Sequence, residues 1–441
     1  MQIERKLRPL FFLGASLLFS PTLKATEQPY VAQISHFVSS HQQEQLSLLE
    51  KLVNINSGTS NLSGVHQVGE LLRPQFEALG FKVRWQEEPA EMHRAGTLIA
   101  EHPGRKGTRL LLIGHLDTVF PADGAFQRFE QQGNYASGPG IIDDKGGDLV
   151  ILYALKALQA IDALADANIT VILTGDEEDS GKPTSISRKP LFAAAEQSDI
   201  ALDFEWAFTK DTATIARRGI SSWEIKTEGN EAHSSQIFQP EIGYGAIYEL
   251  VRILDTVRKQ LSQERYLSIN PGIILGGTDL NYDEKNAHGL AFGKGNVIAK
   301  SALAKGDLRF LSKEQEDKAK GAMSTIVNSH LAGTKATIAF QAGIPAMPPA
   351  SENLTLLKKY SQASVALGYG EVKALDPGVR GAGDISFIAA RMSASLAGLG
   401  PIGTGAHSDK ETLDIQSLGM QTQRAALVMY WLINEKRKEN S

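Results

Sequence analysis

Five short clusters of acids and histidines in this sequence have the composition of a metal-dependent hydrolytic site. His115-Leu116-Asp117 follows the apolar run RLLLIG, Asp176-Glu177-Glu178 follows ITVILTG, and Glu205 closes IALDF. A fourth cluster, Gly138–Gly147 (GPGIIDDKGG), carries Asp143 and Asp144 directly before a helical run. Its glycines allow close backbone approach, and acids at a helix start meet the positive end of the helix dipole. The fifth, Gly403–Asp409 (GTGAHSD), holds His407 in a glycine-flanked loop. Two divalent ions about 4 Å apart need a bridging carboxylate and further nitrogen or oxygen ligands. A free carboxylate beside the shared water supplies a general base. The chain has 10 histidines, 50 carboxylates and no cysteine. Imidazole and carboxylate are therefore its strong metal ligands. Disulfides, thiol catalysis, Fe–S clusters and thiolate-held zinc are excluded.

These side chains need a scaffold that brings distant segments together. Thr97–Ala100, Arg109–Ile113, Ile169–Leu173 and Ile200–Phe204 are short apolar runs, read as strands buried on both faces, as in a parallel sheet. Glu44–Leu79 and Gly147–Ala165 have helical spacing. Alternating strands and helices predict an α/β layer, with a site beyond the carboxyl ends of the strands. After about residue 213 the texture changes. Ser221–Thr227, Leu267–Ile274, Gly295–Ile298, Ala302–Phe310 and Ala336–Phe340 read as strands, and Tyr244–Gln260 and Lys313–Leu331 as helices. That is a separate α+β, ferredoxin-like unit. The expected organisation is an α/β domain over 26–213 and 343–441, interrupted by an inserted domain over 214–342.

The remaining composition narrows the class. Hydrophobic residues make up 42% and charged residues 22%, which is a globular mixture. A net charge of -5 argues against nucleic-acid binding. Residues 1–25 read as an export signal: Arg5, Lys6 and Arg8, then an apolar run from Pro9 to Phe19, then Ala25. That run is shorter than the roughly 20 residues of a membrane span. The expectation is an exported protein, periplasmic or secreted, with no membrane span after signal removal.

In this order, from about residue 40 onward, the residues resemble the M20 metallopeptidase family, whose members include glutamate carboxypeptidase, aminoacylase and succinyl-diaminopimelate desuccinylase. GPGIIDDKGG and Ala406–Lys410 (AHSDK) are most similar to the glutamate carboxypeptidase branch. The resemblance implies a zinc-peptidase catalytic domain with a mixed, largely parallel sheet, two Zn2+ per subunit, and an inserted lid and dimerisation domain. It implies His115 and Glu205 on one zinc, Glu178 and His407 on the other, and Asp143 bridging both, followed by a cis peptide. Asp117 is implied to orient His115 through its other ring nitrogen, and Glu177 to be the general base. His233, in Glu231-Ala232-His233-Ser234, is implied to reach the partner subunit's active site and steady an oxyanion. Asn296 and Arg309 are implied to hold the substrate's terminal carboxylate.

The implied activity is a carboxypeptidase releasing a C-terminal amino acid, glutamate being the branch's suggestion, as a homodimer through the inserted domain. An N-acyl-amino-acid deacylase or dipeptidase would use the same di-zinc site. A non-catalytic exported amino-acid or peptide binder is the alternative of another class. Three features depart from the family: no proline follows Asn296 in NVIAK, Gly381-Ala382-Gly383-Asp384 lacks a hydroxyl, and Ser234-Ser235 follows His233. They bear on specificity. Asp144 reads as a helix cap, Arg217-Arg218 near the domain junction as hinge packing with substrate contact as the alternative, and His36, His41, His66, His93, His102, His288 and His330 have no assigned role.

Overall fold

The computed structural model describes residues 28–435 except 285, so the export-signal reading of residues 1–25 lies outside the described residues. Among the described residues no helix is long and apolar enough to cross a membrane. The helical pattern over 44–79 divides into α1 (Gln28–Val53) and α2 (Leu62–Ala78). The residues between them are rich in Asn, Ser, Gly and Thr, which compete for backbone hydrogen bonds and favour turns and caps. Asn61 caps α2, its Oδ1 accepting the Gly64 N–H at 3.2 Å.

The large sheet contains β1 (Lys82–Gln86), β2 (Thr97–His102), β3 (Lys106–His115), β4 (Ala167–Thr174), β5 (Ile200–Asp203) and, late in the chain, Ala394–Leu396. Its order is β1-β2-β4-β3-β5 followed by the late strand. β3 runs parallel to β4 and to β5. The expectation of a parallel strand at Thr97–Ala100 is corrected: β2 is antiparallel to β4. Only Pro103, Gly104 and Arg105 separate β2 from β3. A parallel crossover needs about a dozen residues, so the chain must reverse there. Register aligns the ends of the parallel strands: His115 pairs with Thr174, and Ile113 with Asp203. The carboxyl ends of three strands therefore stop at nearly one level.

α3 (Lys145–Ala160) is buried from Lys145 to Leu155. It packs with α1 and the last long helix, Ile415–Asn434, in one core with Leu110, Leu112, Val171 and Leu173. Leu111, Ile113, Ile172 and Leu191 form a core on the other face.

The inserted segment has its own sheet, β6 (Gly219–Gly229), β7 (Ser268–Gly277), β8 (Ser301–Phe310) and β9 (Thr334–Ala342), in the order β7-β8-β6-β9, antiparallel throughout. β6 alternates buried and more exposed residues, as a half-covered strand must. The covering helices are α4 (Gly245–Leu261) and α5 (Lys313–Val327), and the core holds Trp223, Ile225, Leu250, Ile253, Leu308 and Met323. This is the ferredoxin-like β-α-β-β-α-β arrangement. One reading is corrected and one element was not expected. Gly295–Ile298 is a loop with a single bridge from Val297 to His233. A hairpin, Asp279–Asp283 with His288–Phe292, extends from the β7–β8 connection and leaves Leu290 and Phe292 exposed.

Candidate active site

His115 ends β3, and its ring is fixed from behind. Its Nδ1 lies 3.1 Å from the Asp117 carbonyl and 3.4 Å from Asp117 Oδ1. Both are acceptors, so the ring proton belongs on Nδ1 and Nε2 faces Asp143 Oδ1 at 3.1 Å. The buried Asp117 carboxylate also accepts the Thr59 hydroxyl (2.6 Å) and the backbone N–H groups of Glu177 (3.0 Å) and Glu178 (3.2 Å). One carboxylate thus joins the end of β3 to the loop after β4.

Asp143 stands between two imidazoles. Oδ1 meets His115, and Oδ2 lies 3.0 Å from His407 Nε2. His407 Nε2 is also 3.3 Å from Glu178 Oε2. The Asp143-Asp144 peptide is cis. Glu411 holds this loop, accepting the N–H groups of Gly140 (3.0 Å), Ile142 (2.9 Å) and Asp143 (3.1 Å). Gly140 has φ +73°, and a Cβ there would stand 2.5 Å from Thr118 Cγ2, so only glycine fits. The reading of Asp144 as a cap is corrected. It occupies the N-cap position, but its buried carboxylate makes no cap bond and has no hydrogen-bond partner among the described residues.

The donor set fits divalent metal. Ligand atoms of His115, Asp143 and Glu178 lie within 4.8 Å of one another. Glu178 Oε1 is buried with no hydrogen-bond partner among the described residues. Protons otherwise fill this role: hydrogen bonds to Asp143 and Glu178 push His407 up to about 11. Burial would depress His115, but Asp117 and Asp143 outweigh it and raise it well above the usual imidazole range. Burial works against ionised Asp143 too, yet the two imidazoles hold its carboxyl well below the usual range.

Residues 111–430 match the family model for peptidase family M20/M25/M40. The chain belongs to that family. It is 28% identical over 393 residues to carboxypeptidase G2 of Pseudomonas sp. (strain RS-16), covering 86% of this chain and 87% of that one. Among solved structures, aminopeptidase PepT from Bacillus cereus superimposes with TM-score 0.69 at 18% identity, covering 89% of this chain and 98% of that one. The Bacillus subtilis YXEP protein, a dinuclear metal binding peptidase, gives 0.62 at 16%, covering 89% and 99%. This M20 chain is accordingly a metal-dependent peptidase or amidohydrolase, which sets aside the non-catalytic binder.

A cavity of about 250 Å³ opens on the cluster, lined by Asp143, Glu177, Glu178, Glu205 and His407 with Arg217 and Arg380. Burial, then the charge of Glu205, push the Glu177 carboxyl well above its usual range. Arg217 stands at the domain junction, its backbone bridging Met347, and its side chain lines the cavity. It donates to Glu205 Oε2 (2.9 Å), Asp203 Oδ2 (3.2 Å) and the carbonyls of Gly381 (2.8 Å) and Ala382 (2.7 Å). Burial opposes ionisation of Glu205, but Arg217 and Arg380 outweigh it and hold its carboxyl below the usual range.

Sequence reasoning missed Arg188, which is fully buried and fixes the acidic loop. It donates to Asp176 Oδ1 (2.6 Å), the Asp176 carbonyl (2.9 Å), Ser180 Oγ (2.7 Å) and Asp384 Oδ1 (2.6 Å). Glu411 was missed too, although it directly follows Lys410 of the AHSDK run.

His233, Asn296 and Arg309 do not line this cavity. His233 Nδ1 accepts the Ser235 hydroxyl (2.8 Å) and N–H (3.3 Å), which leaves the proton on Nε2. Asn296 is exposed beside it, its carbonyl accepting the Ser234 N–H at 2.9 Å. Arg309 donates Nε to Asp307 (2.9 Å), and a Cβ on Gly381 would lie 3.5 Å from Arg309 Nη1. It therefore faces the loop that Arg217 holds.

A metal ion must displace the protons from these imidazoles. With the metal-free His407 held protonated up to about 11, zinc binding to the stripped protein should release protons and weaken as pH falls. Calorimetric titration in two buffers of different ionisation enthalpy measures this directly. Uptake of zinc without proton release would refute the arrangement.

Proposed function

We propose that this M20 protein is a zinc-dependent carboxypeptidase that hydrolyses the amide bond before a C-terminal amino acid. The observation that carries the reading is Asp143, one oxygen on each of two imidazoles, in the same cavity as the half-buried Glu177. His115, Asp143, Glu178, Glu205 and His407 would hold two Zn2+. Such ions polarise a carbonyl and make water a nucleophile near neutral pH.

The chain's own groups do the rest. Glu177 takes a proton from the attacking water and returns it to the leaving amine nitrogen. A raised carboxyl pKa suits that exchange, because a base works best with a pKa near the operating pH. Arg309 receives the terminal carboxylate with its planar fork, and Asn296 supports it from the inserted domain. Closure of that domain brings both to the substrate.

His233 serves the site of a second copy. Its Nε2–H is a donor suited to an oxyanion, and it stands away from its own chain's cavity. The inserted domain also exposes Phe238, Tyr248, Val251, Ile274, Leu290 and Phe292, each at 50% or more. A concentration of apolar side chains of this kind marks a protein interface. A two-fold homodimer would cover it.

Two experiments test the reading. Glu177→Ala should keep its zinc by elemental analysis and lose turnover by roughly a hundred- to ten-thousand-fold. Near-native turnover would refute Glu177 as the base. The assay panel should contain folate-type, peptidyl-glutamate and N-acetyl substrates; preference for the last would favour the deacylase. Separately, mixing Glu177→Ala with His233→Ala chains should restore about a quarter of native activity, because a two-fold heterodimer has one intact composite site. No recovery after subunit exchange would refute a His233 acting across subunits.

A further inference from the structure

Arg188 is fully buried, and every donor it has is in use. Its Nε donates to Asp384 Oδ1 (2.6 Å). Its Nη1 donates to Asp176 Oδ1 (2.6 Å) and Ser187 Oγ (3.3 Å), and its Nη2 to the Asp176 carbonyl (2.9 Å) and Ser180 Oγ (2.7 Å). A guanidinium carries five N–H groups, so each has its own acceptor. Its carboxylate partners are equally committed. Asp384 Oδ2 accepts the hydroxyl of Thr174, the last residue of β4, at 2.7 Å. Asp176 Oδ2 accepts the Gly181 N–H at 2.6 Å, which closes the acidic loop on itself.

The contact joins two stretches of chain that the inserted domain separates. Arg188 and Asp384 lie 196 residues apart in sequence. Asp176 and Glu177 follow β4, before the insertion. Asp384 comes after it and ends the loop whose Arg380, Gly381 and Ala382 line the cavity. Gly381 of that loop faces Arg309 of the inserted domain. Glu177 therefore stands next to one end of the brace, and the loop that meets Arg309 stops at the other. Stability alone is a weak reason for such a group, since a buried ion pair roughly offsets its own desolvation. Geometry is a stronger one. A guanidinium is planar and rigid, so bonds from its Nε and Nη1 to two carboxylates fix the distance between them. An ammonium on a flexible stem has the charge but not the fork.

We propose that Arg188, through Asp384, is a positioning residue that holds Glu177 in register with the cavity loop Arg380–Ala382; this rests on the reading of Glu177 as the base. It touches neither substrate nor metal ligand. Its work is to keep the proton-transferring carboxylate and the loop facing Arg309 in one fixed relation, across the break that the insertion makes in the catalytic layer.

The test compares zinc-loaded native protein with Arg188→Lys, Asp384→Asn and Asp384→Ala, each checked for zinc content and for folding by circular dichroism. Arg188→Lys should lower kcat on the order of tenfold or more and leave KM within about twofold, because a small displacement of a reacting group is costly. Asp384→Asn keeps an oxygen for the Arg188 Nε and should retain more of kcat than Asp384→Ala. Removing a partner leaves a buried charge unpaired, so if Asp384→Ala does not fold, Arg188→Lys and Asp384→Asn carry the comparison. In a Glu177→Ala background, Arg188→Lys should cost less than about twofold further, since a residue that acts through another adds nothing once that one is gone. Hydrogen exchange gives a readout independent of turnover: in Arg188→Lys the amides of residues 175–181 should exchange faster, and those of β4 should not. Native kcat, a loss that adds in full to that of Glu177→Ala, or exchange that rises throughout the catalytic layer or not at all, would overturn the proposal and leave Arg188 as a support for the fold. If Glu177→Ala keeps near-native turnover, the reading of Glu177 fails, and the exchange pattern alone decides whether Arg188 positions the loop.

Discussion

Asp143 presents one carboxylate oxygen to each of two imidazoles, and much of the catalytic layer keeps it there. The two histidines come from segments almost three hundred residues apart in the chain. His115 arrives on a central strand and His407 on a late loop in the left-handed region, with φ +64°. That conformation is uncommon outside glycine and marks sites where the surroundings dictate the backbone. Glu411 ties the Asp143 loop through three amides, and Asp117 ties the His115 loop to Glu177 and Glu178. Each support is a carboxylate accepting backbone N–H groups, which orients the peptide rather than only the side chain.

So much buried charge is unfavourable unless each group is paired. The layer meets this with arginine. Arg188 joins Asp176 to Asp384, and Arg217 joins Asp203 and Glu205 to the 381–382 carbonyls. These pairs set the position of the acidic loops more than they add stability, since a buried ion pair roughly offsets its own desolvation. Glu177 and Glu178 are half-buried and make no arginine salt bridge among the described residues, and burial raises both carboxyls.

The strand ends were legible because burial leaves a local trace. RLLLI, ITVIL and IALDF are mostly apolar, and the acids and histidine that follow each run are the ones at the site. The inserted domain was legible from its change to amphipathic spacing. The direction of β2 was not, because apolar composition says nothing of polarity along the chain. The exposed hairpin was missed because its strands are short and their apolar residues, Leu290 and Phe292 among them, lie exposed instead of in a buried run. Arg188 and Arg380 were unreadable as site residues for a different reason: a basic residue in a polar segment looks the same whether it meets water or a carboxylate brought from a distant part of the chain. Glu411 needs the three amides of a distant loop to acquire its meaning.

The central claim is that Asp143 bridges two metal ions between His115 and His407. Anomalous diffraction from zinc-loaded crystals tests it most directly. Two zinc peaks per chain are expected, about 3.5–4 Å apart, one on each oxygen of Asp143. A single peak, or peaks away from Asp143, would contradict it.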